Sequence, residues 1–280
     1  MNERTVDAGG VRMLVREAGS GDPVILLHGF PQTGECWNGV AERLSKRHRV
    51  IVPDLPGYGR SDRPPAFDAE TVAGVLAAFA EAVDAPVATI VGHDWGGSLA
   101  FAFALTHPAR VARLVVTNAP FRTLDLKRGV HFLLFNVPVV PELAFRLAGG
   151  RLVNFMLRAG AARKDVFTDT ATQPYRAAYA EPANVSSALA YYRTMTRRVI
   201  ARRITRRTSS PRSGSSRRIE QPALVVWGMR DPVLSEVVLA GIERDIPHAK
   251  IVRLEDVGHF VPEEAPAELA AVIEEFLASE

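Results

Sequence analysis

The sequence predicts an α/β fold, a mainly parallel sheet flanked by helices and interrupted by a helical insertion. Three observations lead there. Short β-branched runs alternate with helical periodicity through residues 1–120 and again through 219–280. Between about 121 and 218 no strand-like run survives, and Leu, Phe and Ala recur at helical spacing instead. A length of 280 residues, with 47% apolar and 23% charged side chains, suits one large globular α/β unit carrying an insertion.

The expected strands are 11–16, 24–27, 50–53, 87–91, 111–117, 223–227 and 250–254. The helices expected between them are 36–45, 69–83, 97–106, 235–244 and 266–277. A core domain of 1–120 and 219–280 therefore encloses a helical cap of 121–218, with helices at 126–137, 141–147, 152–159 and 185–195. A Ser/Arg-rich linker, 208–216, leads back to the sheet.

Composition narrows the classes further. Residues 1–22 hold no apolar core of signal-peptide length, and no run approaches the roughly 20 apolar residues of a membrane span. The one cysteine, Cys36, cannot close an internal disulfide, so a cytoplasmic setting is expected. Neither a metal site nor a cofactor is implied, because no Cys/His cluster has ligand spacing. The net charge of +3 owes much to Arg197, Arg198, Arg202, Arg203, Arg206, Arg207, Arg212, Arg217 and Arg218, a stretch without an acid. Such a run attracts phosphates or an anionic membrane surface, although a solvated linker is the simpler reading. Nucleic acid is not an expected partner, and self-association, as a homodimer, is left open.

The chemistry is carried by strand ends. Strand 87–91 runs into Gly92-His93-Asp94-Trp95-Gly96-Gly97 and an alanine-rich helix, a sharp strand–turn–helix with an acid at its apex. Asp94 is there either a nucleophile facing the top of the sheet or a helix cap. His28-Gly29-Phe30-Pro31 ends strand 24–27, where the Phe30 amide, with that of Trp95, can form an oxyanion hole. Asp231, in Trp227-Gly228-Met229-Arg230-Asp231-Pro232, can orient a histidine, whereas Asn118 cannot serve as an anion. Gly258-His259-Phe260 follows the last strand and puts His259 where a general base belongs, giving the chain order nucleophile, acid, histidine. A carboxylate attacking saturated carbon leaves an alkyl ester that water must cleave, and His259 would activate that water. The same attack on an acyl substrate would give an anhydride, which disfavours esterase chemistry.

These motifs, together with the Gly57-Tyr58-Gly59-Arg60-Ser61 turn, resemble the epoxide hydrolase and haloalkane dehalogenase branch of the α/β-hydrolase superfamily across the whole chain. The resemblance implies epoxide opening to a vicinal diol, with two cap tyrosines protonating the ring oxygen. Tyr175, which precedes Glu181-Pro182, and Tyr192, in Ala190-Tyr191-Tyr192-Arg193, are the expected pair, with Tyr179 and Tyr191 as competitors. His28, Pro31, Trp95, Tyr175 and Tyr192 would line a site for a small apolar epoxide. Haloalkane or haloacid dehalogenation is the alternative, but tryptophan stands only at 37, 95 and 227, leaving no second tryptophan donor in the cap for a halide. A noncatalytic ligand-binding protein is a third reading, against which the complete triad speaks.

Overall fold

The computed structural model describes residues 1–123, 125, 130–208 and 218–279, with 130, 131 and 198–208 described by their backbone alone. Eight strands form one sheet: β1 (Asn2–Asp7), β2 (Arg12–Ala18), β3 (Pro23–Leu27), β4 (Arg49–Pro53), β5 (Ala88–His93), β6 (Val111–Thr117), β7 (Ala223–Gly228) and β8 (Lys250–Leu254). Their order is β1-β2-β4-β3-β5-β6-β7-β8, antiparallel across β1, β2 and β4 and parallel from β4 to β8. The central strands β5 and β7 are buried along their whole length, as continuous apolar runs in a parallel sheet covered on both faces must be. β1 was not among the expected strands. Its residues, Asn-Glu-Arg-Thr-Val-Asp, are exposed except for Val6, so an edge position leaves no apolar alternation to read.

The helices are α1 (Asn38–Leu44), α2 (Ala69–Ala82), α3 (Trp95–Thr106), α4 (Val130–Asn136), α5 (Val140–Ala148), α6 (Gly150–Gly160), α7 (Asp169–Ala178), α8 (Pro182–Thr208), α9 (Glu236–Asp245), α10 (Val261–Glu264) and α11 (Pro266–Ala278). Asp68 starts α2 by accepting from the Thr71 N–H at 3.1 Å. A 3₁₀ turn, Gly34–Trp37, takes the first part of the helix expected at 36–45. Within the insertion α7 was not anticipated. Its polar sequence, with Pro174 inside, hides the helical period, yet Thr168 caps it through the Ala171 N–H at 3.2 Å.

Two expectations change in the insertion. α8 does not stop near Met195 but continues to Thr208, so the first half of the arginine run is helix rather than linker. Pro182 opens the helix, no glycine or proline follows before Pro211, and arginine is a good helix former. The linker expected at 208–216 lies outside the described residues from 209 onward, as do positions 126–129 of the expected helix 126–137.

The inserted helices sit over the loops that follow β3, β4 and β5. The Tyr191 hydroxyl of α8 donates to the Pro56 carbonyl at 2.9 Å, and the Asn184 amide donates to the Gly59 carbonyl at 3.0 Å. The Gly57–Ser61 turn is itself fixed by Asp54, whose carboxylate accepts from the Gly34 and Arg60 N–H groups at 3.0 and 3.1 Å. No helix among the described residues is long and apolar enough to cross a membrane.

Candidate active site

Asp94 stands between β5 and α3 at φ 51° and ψ −117°, a conformation rare for a residue with a side chain. As the N-cap of α3 its side chain makes no capping hydrogen bond, so the plain helix-cap reading lacks its contact. The turn closes because its neighbours have no Cβ. A Cβ on Gly96 would lie 2.1 Å from the Leu27 carbonyl oxygen, and one on Gly29 would lie 2.4 Å from the Asp94 Cβ. The strained apex pushes the carboxylate against the loop after β3, where the Phe30 N–H donates to Asp94 Oδ1 at 2.9 Å. Trp95, the first residue of α3, has an N–H with no acceptor inside its helix.

His259 follows β8 and brings its Nε2 to 3.5 Å from Asp94 Oδ2, while its Nδ1–H donates to Asp231 Oδ2 at 2.8 Å. Asp231 is in turn held by the Val233 and Leu234 N–H groups on Oδ1, at 2.6 and 2.9 Å, and by the Asn118 amide on Oδ2, at 2.7 Å. Asn118 also accepts from the Gly228 N–H at 2.8 Å, tying the end of β6 to the turn that carries Asp231. Its φ of 36° marks it as a second strained strand end.

The electrostatics follow from burial and charge. Burial alone would lower His259, but the charge and hydrogen bond of Asp231, followed by those of Asp94, outweigh it and raise it to about 10. Burial would raise Asp94, yet the hydrogen bond and charge of His259, with help from the Phe30 N–H, hold it below its ordinary value. The resting pair is therefore imidazolium and carboxylate. His93, buried beside the imidazolium with ring centroids 5.0 Å apart, is depressed to about 3 by burial and by the His259 charge, and stays neutral.

The inserted helices supply the roof. The Phe30 ring is enclosed edge-on by Phe135, Phe145, Tyr179 and Tyr192, at centroid distances of 5.5, 6.3, 5.6 and 5.5 Å. Tyr192 also meets the Trp95 ring at 5.0 Å, and with Asp94, Trp95 and Phe132 it lines a narrow, closely packed cavity. The Tyr179 hydroxyl is buried without a partner. Burial, then the neighbouring Tyr192 phenol and the Asp94 charge, push its ionisation up, which keeps the phenol protonated. Tyr192 is shifted the same way, by burial and then by Asp94.

The residues named from sequence do not all meet here. Asp94, Asp231, His259, Phe30, Trp95 and Tyr192 do. Tyr175 does not, because its hydroxyl turns away to donate to Glu263 Oε1 at 2.8 Å. One turn further along the chain, Tyr179 takes the place against Phe30. His28 is a brace: its Nε2 accepts the Leu55 N–H at 2.9 Å and its Nδ1 faces the Gly29 carbonyl at 3.0 Å, so both nitrogens are spent on backbone. Pro31 is buried and follows Phe30 through a cis peptide bond.

Two acids on α10 escaped notice. Glu264, 3% exposed, accepts four backbone N–H groups: Gly258 and Phe260 on either side of His259, at 2.9 and 3.0 Å, and Ala162 and Arg163 after α6, at 2.8 and 2.9 Å. Glu263 accepts from Tyr175 of α7 and from Gln32, two residues after Phe30. Each acid thus fastens one loop of the candidate site to the inserted helices. The signal in the sequence was two adjacent acids directly after His259-Phe260-Val261-Pro262, indistinguishable there from a solvated helix start. Among the described residues no group of three His, Cys, Asp or Glu side chains is placed to hold a metal ion.

Comparison with known proteins agrees with this fold. Residues 22–266 match the profile of the alpha/beta hydrolase fold family. Epoxide hydrolase 2 of Caenorhabditis elegans is 24% identical over 298 residues, covering 99% of this chain and 80% of that protein. A cis-3-alkyl-4-alkyloxetan-2-one decarboxylase of Xanthomonas campestris is 29% identical over 96% of this chain and 93% of that one. The structure of the epoxide hydrolase CorEH superposes with a TM-score of 0.81 at 25% identity, over 99% of this chain and 98% of that one. With a profile match across most of its length and the same sheet, this chain belongs to the alpha/beta hydrolase fold family.

Proposed function

We propose that this protein is an epoxide hydrolase, which adds water to an epoxide through an ester on Asp94 and releases a vicinal diol, with residues 121–218 acting as the cap over the site. The observation that carries this reading is a carboxylate facing a buried phenol across one small cavity, Asp94 below and Tyr192 above, with a second buried phenol, Tyr179, beside them against the Phe30 ring. In the first step an Asp94 oxygen attacks a ring carbon and the C–O bond breaks. A tyrosine hydroxyl gives its proton to the departing oxygen, and the His259 imidazolium returns a proton to the phenolate through solvent.

Esterification removes the Asp94 charge that helps hold His259 protonated, so the imidazole becomes available as a base at the point where one is needed. His259, oriented by Asp231, then takes a proton from water. The hydroxide adds to the ester carbonyl, and the Phe30 and Trp95 N–H groups receive the oxyanion. Collapse of the adduct expels the diol, whose oxygen takes the proton from His259, and Asp94, left as the carboxylic acid, then gives its proton to His259 and restores the resting pair. The aromatic enclosure suits a small apolar epoxide.

The phenols also separate this reading from two neighbouring ones. Opening of an oxetanone, the ring named for the Xanthomonas campestris relative, releases a carboxylate and calls for no acid. A departing halide is held by hydrogen-bond donors, commonly indole or amide N–H groups. The Trp95 indole N–H would supply one, but the cap holds no second tryptophan. The decisive experiment is the intact mass of His259→Gln after exposure to a simple epoxide and, separately, to a bromoalkane. Addition of the whole epoxide, mapped to Asp94, is expected. An alkyl group gained only from the bromoalkane would transfer the protein to dehalogenation, and no adduct from either would refute the Asp94 ester.

A further inference from the structure

We propose that the outer face of α4 and α5 is a docking surface for an anionic lipid bilayer. Among the described residues eleven large apolar side chains are exposed, and seven of them lie between 133 and 147. On α5, Val140, Leu143 and Leu147 share one outward stripe at helical spacing, while Pro141 and Phe145 fill the inward one. On α4, Leu133 and Leu134 are exposed, whereas Phe132 and Phe135 pack on Tyr192 and Phe30. A helix at the surface of a globular protein carries polar residues on its outer side, so apolar residues on both sides mean that a further layer covers this one. The turn between the helices adds to the patch by holding Val139, a β-branched residue 68% exposed, at φ 69°.

Charge identifies the covering layer. Residues 121–218 hold 19 Lys and Arg against five Asp and Glu, and the remainder of the chain holds 15 against 26, so the two parts carry opposite net charge. Within 130–160 the single acid, Glu142, is paired with Arg193 at 2.7 Å. Exposed Arg146 follows the α5 stripe, and exposed Arg151 and Arg158 flank exposed Phe155 along α6. Aliphatic side chains with exposed arginines beside them on α5 and α6 match the headgroup and acyl boundary of an anionic bilayer. A second copy meeting the first about a two-fold axis would set two cationic faces together. A nucleic acid would gain nothing from leucines and valines, which do not stack on bases. Seated this way, one helix, α4, separates the membrane from the cavity that its Phe132 lines.

The test is co-sedimentation of the full chain with phosphatidylglycerol/phosphatidylcholine vesicles and with phosphatidylcholine vesicles alone. It reads nothing of catalysis, so its outcome is independent of the hydrolase reading. The wild type is expected to pellet with the anionic vesicles only, and less so as salt rises. Leu143→Glu/Leu147→Glu should bind more than about a hundredfold less, and Arg146→Ala/Arg151→Ala about thirtyfold less, with melting temperatures unchanged because all four side chains are exposed. Wild type that stays in the supernatant, or pelleting that the leucine pair does not affect, would overturn the proposal. Sedimentation of a dimer that the leucine pair dissociates would assign the face to a second copy. Equal binding of a DNA duplex by wild type and leucine variant would assign it to a generic polyanion.

Discussion

Replacing Tyr175, Tyr179 or Tyr192 by phenylalanine removes one oxygen atom each time, and the three removals should leave opposite marks. The Tyr175 hydroxyl donates at 2.8 Å to Glu263, whose remaining donor would be Gln32. Losing a hydrogen bond to an ionisable carboxyl costs about 1.5–3 kcal/mol. For a chain of this length that is a fall of about 3–6 °C in melting temperature, with turnover little changed. The Tyr179 hydroxyl is buried without a partner, so its loss costs no bond, and stability should hold or rise by about 1 kcal/mol. Its turnover should nevertheless fall by about a hundredfold or more, the contribution of a positioned general acid. Tyr192→Phe should also lose turnover, and the double variant with Tyr179→Phe should lose more than either. Calorimetry and steady-state diol formation read the two quantities separately. If Tyr175→Phe lost the turnover and Tyr179→Phe kept it, the assignment of the acid to the Phe30 side of α7 would be refuted.

The other expectations are narrower. Glu264→Gln keeps one oxygen but sets an amide donor against a backbone N–H, so stability should fall by about 2–3 kcal/mol; kcat should fall while KM stays, and the tyrosine signature above should persist, if its role is to hold the His259 loop. Gly29→Ala would force a Cβ to within 2.4 Å of the Asp94 Cβ, and should abolish turnover while circular dichroism still reports a folded sheet. Glu263, raised by burial from its ordinary 4.5 to about 7, binds its proton better in the folded chain. Its contribution to stability is therefore complete below pH 4.5 and is lost as pH rises through 7, on the order of 3 kcal/mol. Glu263→Gln, which the unpartnered Gln32 Oε1 can receive, should flatten that fall in a denaturation series across the same range.

What could be read from the chain followed the apolar pattern and the turn chemistry. Strand β3 is a run of valine, isoleucine and leucine after its proline and β6 is rich in valine, and Gly92-His93-Asp94-Trp95-Gly96-Gly97 announces its strained turn through glycines that the packing demands. What stayed hidden depends on direction. Tyr175 and Tyr179 lie four residues apart near the C-terminal end of α7, and only the placement of that helix against α10 and Phe30 tells which hydroxyl meets Glu263 and which ring packs on Phe30. Asn118 could be dismissed as an anion but not recognised as the amide that holds Asp231, because β6 and the Asp231 turn are brought together by the sheet and not by the chain. The polar strand β1 and the helical continuation of α8 were hidden for a simpler reason: neither carries the periodic apolar face by which such elements are found.

The neighbouring acids Glu263 and Glu264 bear on how this enzyme could be rebuilt. An insertion of nearly a hundred residues is coupled to both catalytic loops through two consecutive side chains of a four-residue helix, one receiving α7 and the other the segment after α6. A chimera that exchanges the inserted helices with those of a relative must therefore match two grafting points inside the core, as well as the two chain junctions. Libraries that keep a tyrosine at 175, free backbone N–H groups at 162 and 163, and the α10 acids should accept wide variation along the rest of the insert. Libraries that randomise those positions should yield folded sheets whose base and oxyanion donors no longer keep step with the roof above them.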